Sequence, residues 1–324
     1  MLAGRRSSSL HQARGNPRLG LLLAVSAVAL WGVLGISLKL LLTGGIDAYT
    51  ITWYRLAASA AALFAFQAYR GRLPSVVPLG RRHWALLAVA LVGLLGNYVL
   101  FAVALNYVPP ATAQLVIQLA PILFLIGSLV IFGEPFSRSQ WAGVGVLVAG
   151  LLFFFNDRLP ALVGLSSTEA IGVAMVVTGA TLWAVYALSQ KQLLTALSSV
   201  NILMLLYAGA AVVLLPAATP GQVGLLDGFQ RGLLVFGVVN TLGAYGCFAE
   251  ALAHWDASRV SAILTLTPVV TIVAVAGILA VWPAADIGEP LDTLGLAGAA
   301  LVVGGSMVAA LGSRPGQVDP IDIE

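Results

Sequence analysis

Glu250 lies inside a long apolar run of the sequence, one helical turn before that run ends. An acidic side chain at the centre of a membrane helix costs about 2.5–3.5 kcal/mol on insertion scales, so Glu250 must be protonated, hydrated or paired. His254 follows one turn later, and Lys191 is the cation at the closest predicted depth. These residues predict a cytoplasmic gate or a proton-coupling group. The alternative is a permanent ion pair or a hydrated residue near the interface.

Two further cations, Lys39 and Arg55, also lie within apolar runs. Lys39 and Lys191 are near opposite ends of the membrane, so each can extend its ammonium group toward lipid headgroups, with gating contacts as the alternative role. Arg55 is about nine residues into its run, some 13 Å along a helix, and needs a carbonyl, a water molecule or a carboxylate as its partner. The candidate gating or coupling residues are Lys39, Arg55, Lys191, Glu250 and His254.

Uncharged polar side chains recur on helix faces that would meet a substrate. Gln114 and Gln118 share a face with a proline, and Ser261 and Thr265 precede a second proline in the same way 147 residues later. A proline frees a backbone carbonyl, which is tolerable beside a cavity. Alternatively, these polar residues only hold helices together, at about 0.6 kcal/mol each. The candidate substrate-binding residues are Asn97, Gln114, Gln118, Trp183, Asn240, Glu250, Ser261 and Thr265.

One face of a later helix carries Asn240, Glu250 and His254 at helical spacing. We expect this polar stripe to face polar neighbours around the same cavity. Asn97 lies beside the equivalent positions of an earlier helix. Tyr245 lies off the stripe, which weakens its case as a ligand.

Aromatic residues are candidates for the cavity wall. Trp31 and Trp183 are expected to pack near that wall, with interfacial anchoring as the alternative. Tyr98 and Tyr245 are each expected either on the cavity wall or in the packed core.

An intramembrane enzyme would need a nucleophile close to a base, or metal ligands on facing helices. His254 is the histidine within a predicted helix, whereas His11 and His83 fall in predicted cytoplasmic segments. Cys247 is the only cysteine, which excludes an intrachain disulfide and a cysteine zinc cluster. We therefore expect no catalytic residue, no metal site and no cofactor, and an enzyme remains a remote alternative.

The composition is that of a membrane protein. Of 324 residues, 60% are hydrophobic and 9% are charged, whereas soluble domains carry about 25% charged residues. The apolar runs are about 20 residues long, enough to cross a hydrocarbon core about 30 Å thick. We predict ten transmembrane helices, near residues 19–42, 46–69, 84–107, 111–133, 141–156, 170–190, 199–218, 230–254, 258–282 and 291–312.

Basic residues are concentrated on one side of the predicted membrane. With the amino terminus inside, the external segments hold only Arg158 and Arg231. The cytoplasmic segments hold Arg5, Arg6, Arg14, Arg18, Arg70, Arg72, Arg81, Arg82, Arg138, Lys191, Arg259 and Arg314. This positive-inside asymmetry predicts a multi-pass protein of the inner (plasma) membrane with both termini in the cytoplasm. The net charge of +3 is therefore a topology signal, and we expect no nucleic acid partner.

The sequence contains an internal repeat. WGVLGISLK, which begins at Trp31, matches WAVYALSQK, which begins at Trp183, and Tyr98 recurs 147 residues later as Tyr245. FGEP, which begins at Phe132, matches IGEP, which begins at Ile287. Each copy holds five predicted helices, so the second copy must enter the membrane from the opposite side.

The predicted fold is therefore an all-α membrane protein with ten transmembrane helices as two inverted five-helix repeats. Residues 1–18 form a cytoplasmic tail, residues 19–156 the first repeat and residues 157–169 an external connection. Residues 170–312 form the second repeat, and residues 313–324 a cytoplasmic tail.

These ordered motifs resemble the EamA family of the drug/metabolite transporter superfamily over residues 19–312. The resemblance implies an inner-membrane carrier, often an exporter of amino acids, related metabolites or toxic compounds, with predicted helices 1, 3, 4, 6, 8 and 9 around a central cavity. This chain departs from the family pattern in two places. Extra residues precede IGEP, and Glu250 is a carboxylate within predicted helix 8.

The expected function is export of small organic metabolites such as amino acids by alternating access. The expected partners are the lipid bilayer, a small-molecule substrate and, as a candidate coupling ion, the proton. A carrier of phosphorylated sugars or nucleotide-sugars is the alternative. Such a carrier would need several cations converging on the cavity, and only Arg55, Lys39 and Lys191 are available.

Overall fold

The structure is a computed structural model that describes residues 16–73, 79–108, 110–133, 137–155, 167–283, 287 and 293–311. Within these ranges the regular structure is helical, as predicted. The first half holds α1 (Pro17–Thr43), α2 (Ala48–Tyr69), α3 (Arg81–Ala104), α4 (Pro110–Val116), α5 (Leu119–Phe132) and α6 (Arg138–Phe155). The second half holds α7 (Ser167–Leu193), α8 (Ser199–Leu214), α9 (Gly228–His254), α10 (Ala257–Leu264), α11 (Thr267–Val281) and α12 (Thr293–Leu311). Two 3-10 turns, Leu215–Ala217 and Pro220–Leu225, separate α8 from α9.

The length and hydropathy of these helices agree with a membrane protein. In the described part of the chain, 6 stretches are long and apolar enough to cross a bilayer. They are Pro17–Thr43, Arg81–Ala104, Ala170–Leu193, Ser199–Ala217, Gly228–His254 and Arg259–Val281. The number of ten spans stays a prediction.

Two apolar runs predicted as continuous helices are each broken in two. α4 ends before Ile117 and α5 begins after Gln118, while α10 and α11 are separated at Thr265. The cause is a proline just beyond each break, because its nitrogen cannot donate the next helical hydrogen bond. Pro268 leaves the Leu264 carbonyl without that donor, and the hydroxyl of Thr267 donates to it instead at 2.6 Å.

The two halves of the chain are interleaved. α1 packs along α9, α3 along α7, α2 along α8 and α6 along α12. In the internal repeat α1 is equivalent to α7, and α3 is equivalent to α9. The α1–α9 and α3–α7 pairs are therefore equivalent contacts in which the two copies exchange roles. A Cβ atom at Gly93 of α3 would stand 2.6 Å from the Leu182 carbonyl oxygen of α7. The close approach of these two helices therefore depends on a glycine.

Two hydrophobic clusters fill the space between the helices. One is built around Phe124, Trp183 and Phe248, and the other around Leu38 and the residues at the end of α3. Trp31 packs against both clusters, so the space beside it lies between the two ends of the bundle.

Candidate functional site

A cavity lies at this middle level. The volume of the cavity is about 90 Å³, which is room for several waters or one small organic molecule. Both helix breaks open onto it. The lining residues are Trp31, Leu34, Gly35, Leu38, Arg55, Asn97, Tyr98, Phe101, Gln114, Ile117, Gln118, Ala120, Pro121, Trp183, Tyr245, Leu264 and Thr267.

Aromatic residues from equivalent positions of the two repeats meet in pairs at the cavity. The ring centroids of Trp31 and Trp183 are 5.8 Å apart at an interplanar angle of 80°, and those of Tyr98 and Tyr245 are 5.1 Å apart. Trp31 also makes an edge contact with Tyr245 at 5.0 Å. Such edge-to-face and tilted arrangements are the favoured geometries of aromatic pairs. Because equivalent residues can meet only near a symmetry axis, the cavity lies close to the axis that relates the repeats.

The amide side chains on the wall come from α3 and from the α4–α5 segment. Asn97 donates through Nδ2 to the carbonyl of Gly179 at 3.1 Å and accepts from the Tyr245 hydroxyl at 3.4 Å. Gln114 and Gln118 are buried and line the cavity. Among the described residues, the Oε1 atom of Gln118 has no hydrogen-bond partner.

Arg55 brings a positive charge to the wall. It is 2% exposed, and its Nε donates to the hydroxyl of Thr241 at 3.0 Å. Its guanidinium carbon lies 4.7 Å from the centroid of the Tyr98 ring, within the range of a cation–π contact. The sequence predicted a carbonyl, water or carboxylate partner, whereas the protein partners are a hydroxyl and an aromatic face.

The polar stripe of α9 does not line the cavity. Asn240 donates to the carbonyl of Leu30 at 2.6 Å, while Glu250 accepts from Ser199 at 2.5 Å and lies 3.4 Å from Nε2 of His254. The stripe is directed toward α1 and α8 instead. Tyr245, which lies off the polar stripe, is the α9 residue that lines the cavity wall.

Ser261 and Thr265 are buried beside the helix breaks and are not among the lining residues. Ser261 donates to the carbonyl of Pro121 across the two broken segments, and Thr265 donates to the carbonyl of Ala262 at 2.7 Å. Of the candidate substrate-binding residues, the cavity brings together Asn97, Gln114, Gln118 and Trp183. A role in binding stays a prediction for all of them.

The lysines lie away from the cavity. Lys39 donates to the carbonyl of Leu105, at the end of α3, at 2.9 Å, so it caps a helix terminus where a cation is favoured. Lys191 lies 4.5 Å from the ring centroid of Phe132. The hydrogen bond and the ion pair of Glu250 go to Ser199 and His254, so among the described residues Lys191 and Glu250 do not form the pair considered for a gate.

Sequence reasoning placed too little weight on Tyr98, Phe101 and Tyr245, which all lie on the wall. The repeat contained a signal for two of them. Tyr98 and Tyr245 are the same residue type at equivalent positions, and equivalent positions on central helices are the ones that approach a symmetry axis.

Comparisons with known proteins agree with this architecture. The model of the EamA-like transporter family matches residues 18–156 and 170–311. The uncharacterized inner membrane transporter YhbE of Escherichia coli (strain K12) is 38% identical, over 91% of this chain and 92% of that protein. The aromatic amino acid exporter YddG of Ancylobacter novellus is 26% identical, over 53% of this chain and 58% of that protein.

A solved crystal structure matches the fold with a TM-score of 0.68 and 20% identity, over 90% of this chain and 96% of that chain. The family match covers both halves of the chain, and each half is one of the two repeats. The chain is a membrane transporter that belongs to the EamA-like transporter family.

Proposed function

We propose that this transporter exports small organic metabolites, such as amino acids and related compounds, by alternating access to the cavity between the repeats. The observation that carries the proposal is the position of the cavity, which is lined by both repeats and by both helix breaks. Transporters with inverted repeats bind substrate near the bilayer midplane, at broken helices and at the interface of the repeats.

Interleaved packing supplies a physical basis for two states. The α1–α9 and α3–α7 contacts are equivalent but need not be equally tight at each end. Exchanging the conformations of the two repeats would open the opposite end of the bundle around the same cavity. The repeat limits at residues 19–156 and 170–312 are part of this proposal.

The orientation in the membrane is proposed from the distribution of basic residues, and the direction of transport from the activity named for a related protein. The distribution of basic residues favours an orientation in the inner membrane with both termini in the cytoplasm, and export is the activity named for YddG of Ancylobacter novellus. Glu250 is the candidate for proton coupling, because its side chain is 44% exposed and it lies beside His254 at the end of α9.

A carrier of phosphorylated sugars is less well supported. In the described part of the chain, Arg55 is the one cation on the cavity wall, since Lys39 and Lys191 make their contacts elsewhere. A phosphate dianion would need more than one such group in a low-dielectric cavity.

Filling the cavity tests the proposal. A Cβ atom added to Gly35 meets nothing closer than the Oε1 atom of Gln114 at 3.8 Å, and Gly35 itself lines the cavity, so Gly35→Phe adds its bulk at the cavity. Gly277 is exposed on α11, where an added Cβ meets nothing within 4 Å, and Gly277→Phe is the matched control. The assay is counterflow in proteoliposomes against amino acids, amines, nucleosides and sugars.

We expect the wild type and Gly277→Phe to exchange at least one class of these compounds and Gly35→Phe to exchange none. Equal activity in Gly35→Phe and Gly277→Phe would refute the cavity as the transport site. No counterflow in the wild type across the whole panel would refute the small-metabolite substrate.

A further inference from the structure

We propose that Arg55 binds the carboxylate of the transported molecule and so limits the substrates to organic compounds with one carboxylate and an apolar body, with or without an amino group. This inference rests on the proposed transport through the cavity. It adds the residue that recognises the substrate and the charge that the substrate must carry.

In the part of the chain that the structure describes, the charge of Arg55 has no counter-ion. Among the described residues no carboxylate pairs with it, and its Nη2 atom is buried without a hydrogen-bond partner. A guanidinium group stays charged in proteins, and a buried charge is strongly unfavourable unless it is paired. Ionisable residues inside a membrane bundle mark ligand or ion sites for this reason. Arg55 is the described residue on the cavity wall that combines full charge, burial and an unused donor.

The surroundings of Arg55 hold the guanidinium group at the cavity. The Thr241 hydroxyl accepts from Nε and donates in turn to the carbonyl of Gly237 at 2.7 Å. A Cβ atom at Gly237 would stand 3.3 Å from Cδ of Arg55, so the glycine leaves room for the side chain. The Tyr98 ring supports the guanidinium face. A guanidinium group carries its N–H groups in a planar fork, and this geometry matches a carboxylate.

The rest of the cavity sets the other limits on the ligand. Trp31, Phe101 and Trp183 give an apolar wall, which favours an apolar or aromatic body. One guanidinium group neutralises one negative charge, whereas a phosphate dianion would leave a net charge in an apolar site. The unpartnered Oε1 of Gln118 can accept from an ammonium group, so zwitterions are admitted. A cation that lacks a carboxylate would be repelled by Arg55.

Four probes with one aromatic ring separate these requirements. They are L-phenylalanine, 3-phenylpropionate, phenethylamine and phenyl phosphate. Binding to the purified protein is measured by tryptophan fluorescence, because Trp31 and Trp183 line the cavity. We expect the two carboxylates to bind at least about tenfold more tightly than the amine and the phosphate, which is the scale of one charge-assisted hydrogen bond.

Arg55→Gln should weaken carboxylate binding by about 10- to 100-fold and leave binding of the amine unchanged or improved. Arg55→Lys keeps the charge but loses the fork, and should lie between Arg55→Gln and the wild type. Arg70→Gln is the matched control, since Arg70 is exposed at the end of α2 and lies 4.7 Å above the Phe66 ring. Size-exclusion profiles and melting curves establish that each variant is folded, and if Arg55→Gln is not, Arg55→Lys carries the comparison.

The inference is refuted if the amine or the phosphate binds as tightly as the carboxylates, if the Arg55 variants keep the wild-type preference, or if none of the four probes binds. An amine that is carried in counterflow and blocked by Gly35→Phe would overturn the role of Arg55 and leave the transport cavity standing. Loss of the proposed function itself would be seen separately, as equal activity in Gly35→Phe and Gly277→Phe.

Discussion

The close contact between α6 and α12 depends on one glycine from each helix. A Cβ atom at Gly150 would stand 2.6 Å from the backbone nitrogen of Val302, and one at Gly305 would stand 2.5 Å from that of Leu147. Gly150 and Gly305 are equivalent positions of the two repeats, so one contact is made twice across the same helix pair. Gly145, also on α6, has nothing within 4 Å of an added Cβ.

We predict that Gly150→Ala destabilises the protein and that Gly145→Ala does not. Both changes gain about the same helix propensity, roughly 1 kcal/mol, so this contribution cancels when the two variants are compared. The remaining difference is the cost of overpacking against a backbone that cannot rotate away, about 1–3 kcal/mol. Gly150→Ala should therefore melt at a lower temperature than Gly145→Ala.

The assay is thermal unfolding of the two variants in the same detergent. Adding Gly305→Ala to Gly150→Ala should cost less than the sum of the single changes, because the first alanine has already separated the helix pair. Neither glycine lines the cavity, so exchange at a temperature where both variants are folded should be unchanged. Equal melting temperatures for Gly150→Ala and Gly145→Ala would refute the close-packing argument.

Three further predictions concern transport and membrane topology. Gln118→Leu should abolish counterflow, because Gln118 lines the cavity. Thr265→Val should leave counterflow intact, because the Thr265 hydroxyl donates to the Ala262 carbonyl instead. Equal loss of counterflow in both variants would assign both residues to helix packing. Glu250→Gln keeps the contact with Ser199 but cannot ionise. Substrate exchange should therefore survive, while uphill transport of substrate driven by a pH gradient should be lost. Retention of both activities would reject proton coupling through Glu250. In a cysteine-free background, Ser139→Cys should react with an impermeant thiol reagent only from the cytoplasm and Gly224→Cys only from outside, and the reverse would invert the topology.

Much of the fold follows from the sequence, because a membrane leaves few alternatives for an apolar chain. Runs of about 20 apolar residues must be helices, since unpaired backbone groups are too costly in hydrocarbon. The helix breaks before Pro121 and Pro268 could also be predicted from the sequence, because a proline beyond the first turn of a helix removes a hydrogen bond. Of the two predicted cytoplasmic tails, residues 1–15 and 313–324 lie outside the described residues.

The face of α9 that meets the cavity could not be read from polarity. The sequence predicts Asn240 and Glu250 as substrate ligands because a polar side chain in a membrane needs a polar partner. A neighbouring helix can supply that partner as well as a cavity can, and it does so for both residues. A polar residue in a membrane helix therefore indicates a polar contact, but its polarity does not identify the partner. The face on the wall carries Tyr245, whose ring is apolar and whose hydroxyl reaches Asn97, and its signal was the repetition of Tyr98.

The symmetry of the fold does not extend to the chemistry of the cavity. Asn97, Gln114 and Gln118 line the wall, whereas the equivalent positions 147 residues later are Ala244, Ser261 and Thr265, of which none lines it. The hydroxyl groups of Ser261 and Thr265 are bonded to backbone carbonyls. The polar contacts of a bound molecule would thus come mainly from one repeat, while the aromatic walls come from both. If the two repeats exchange conformations, we expect the molecule to stay with the polar groups of the first repeat while the aromatic pairs shift around it, so that access changes sides without the binding contacts being rebuilt.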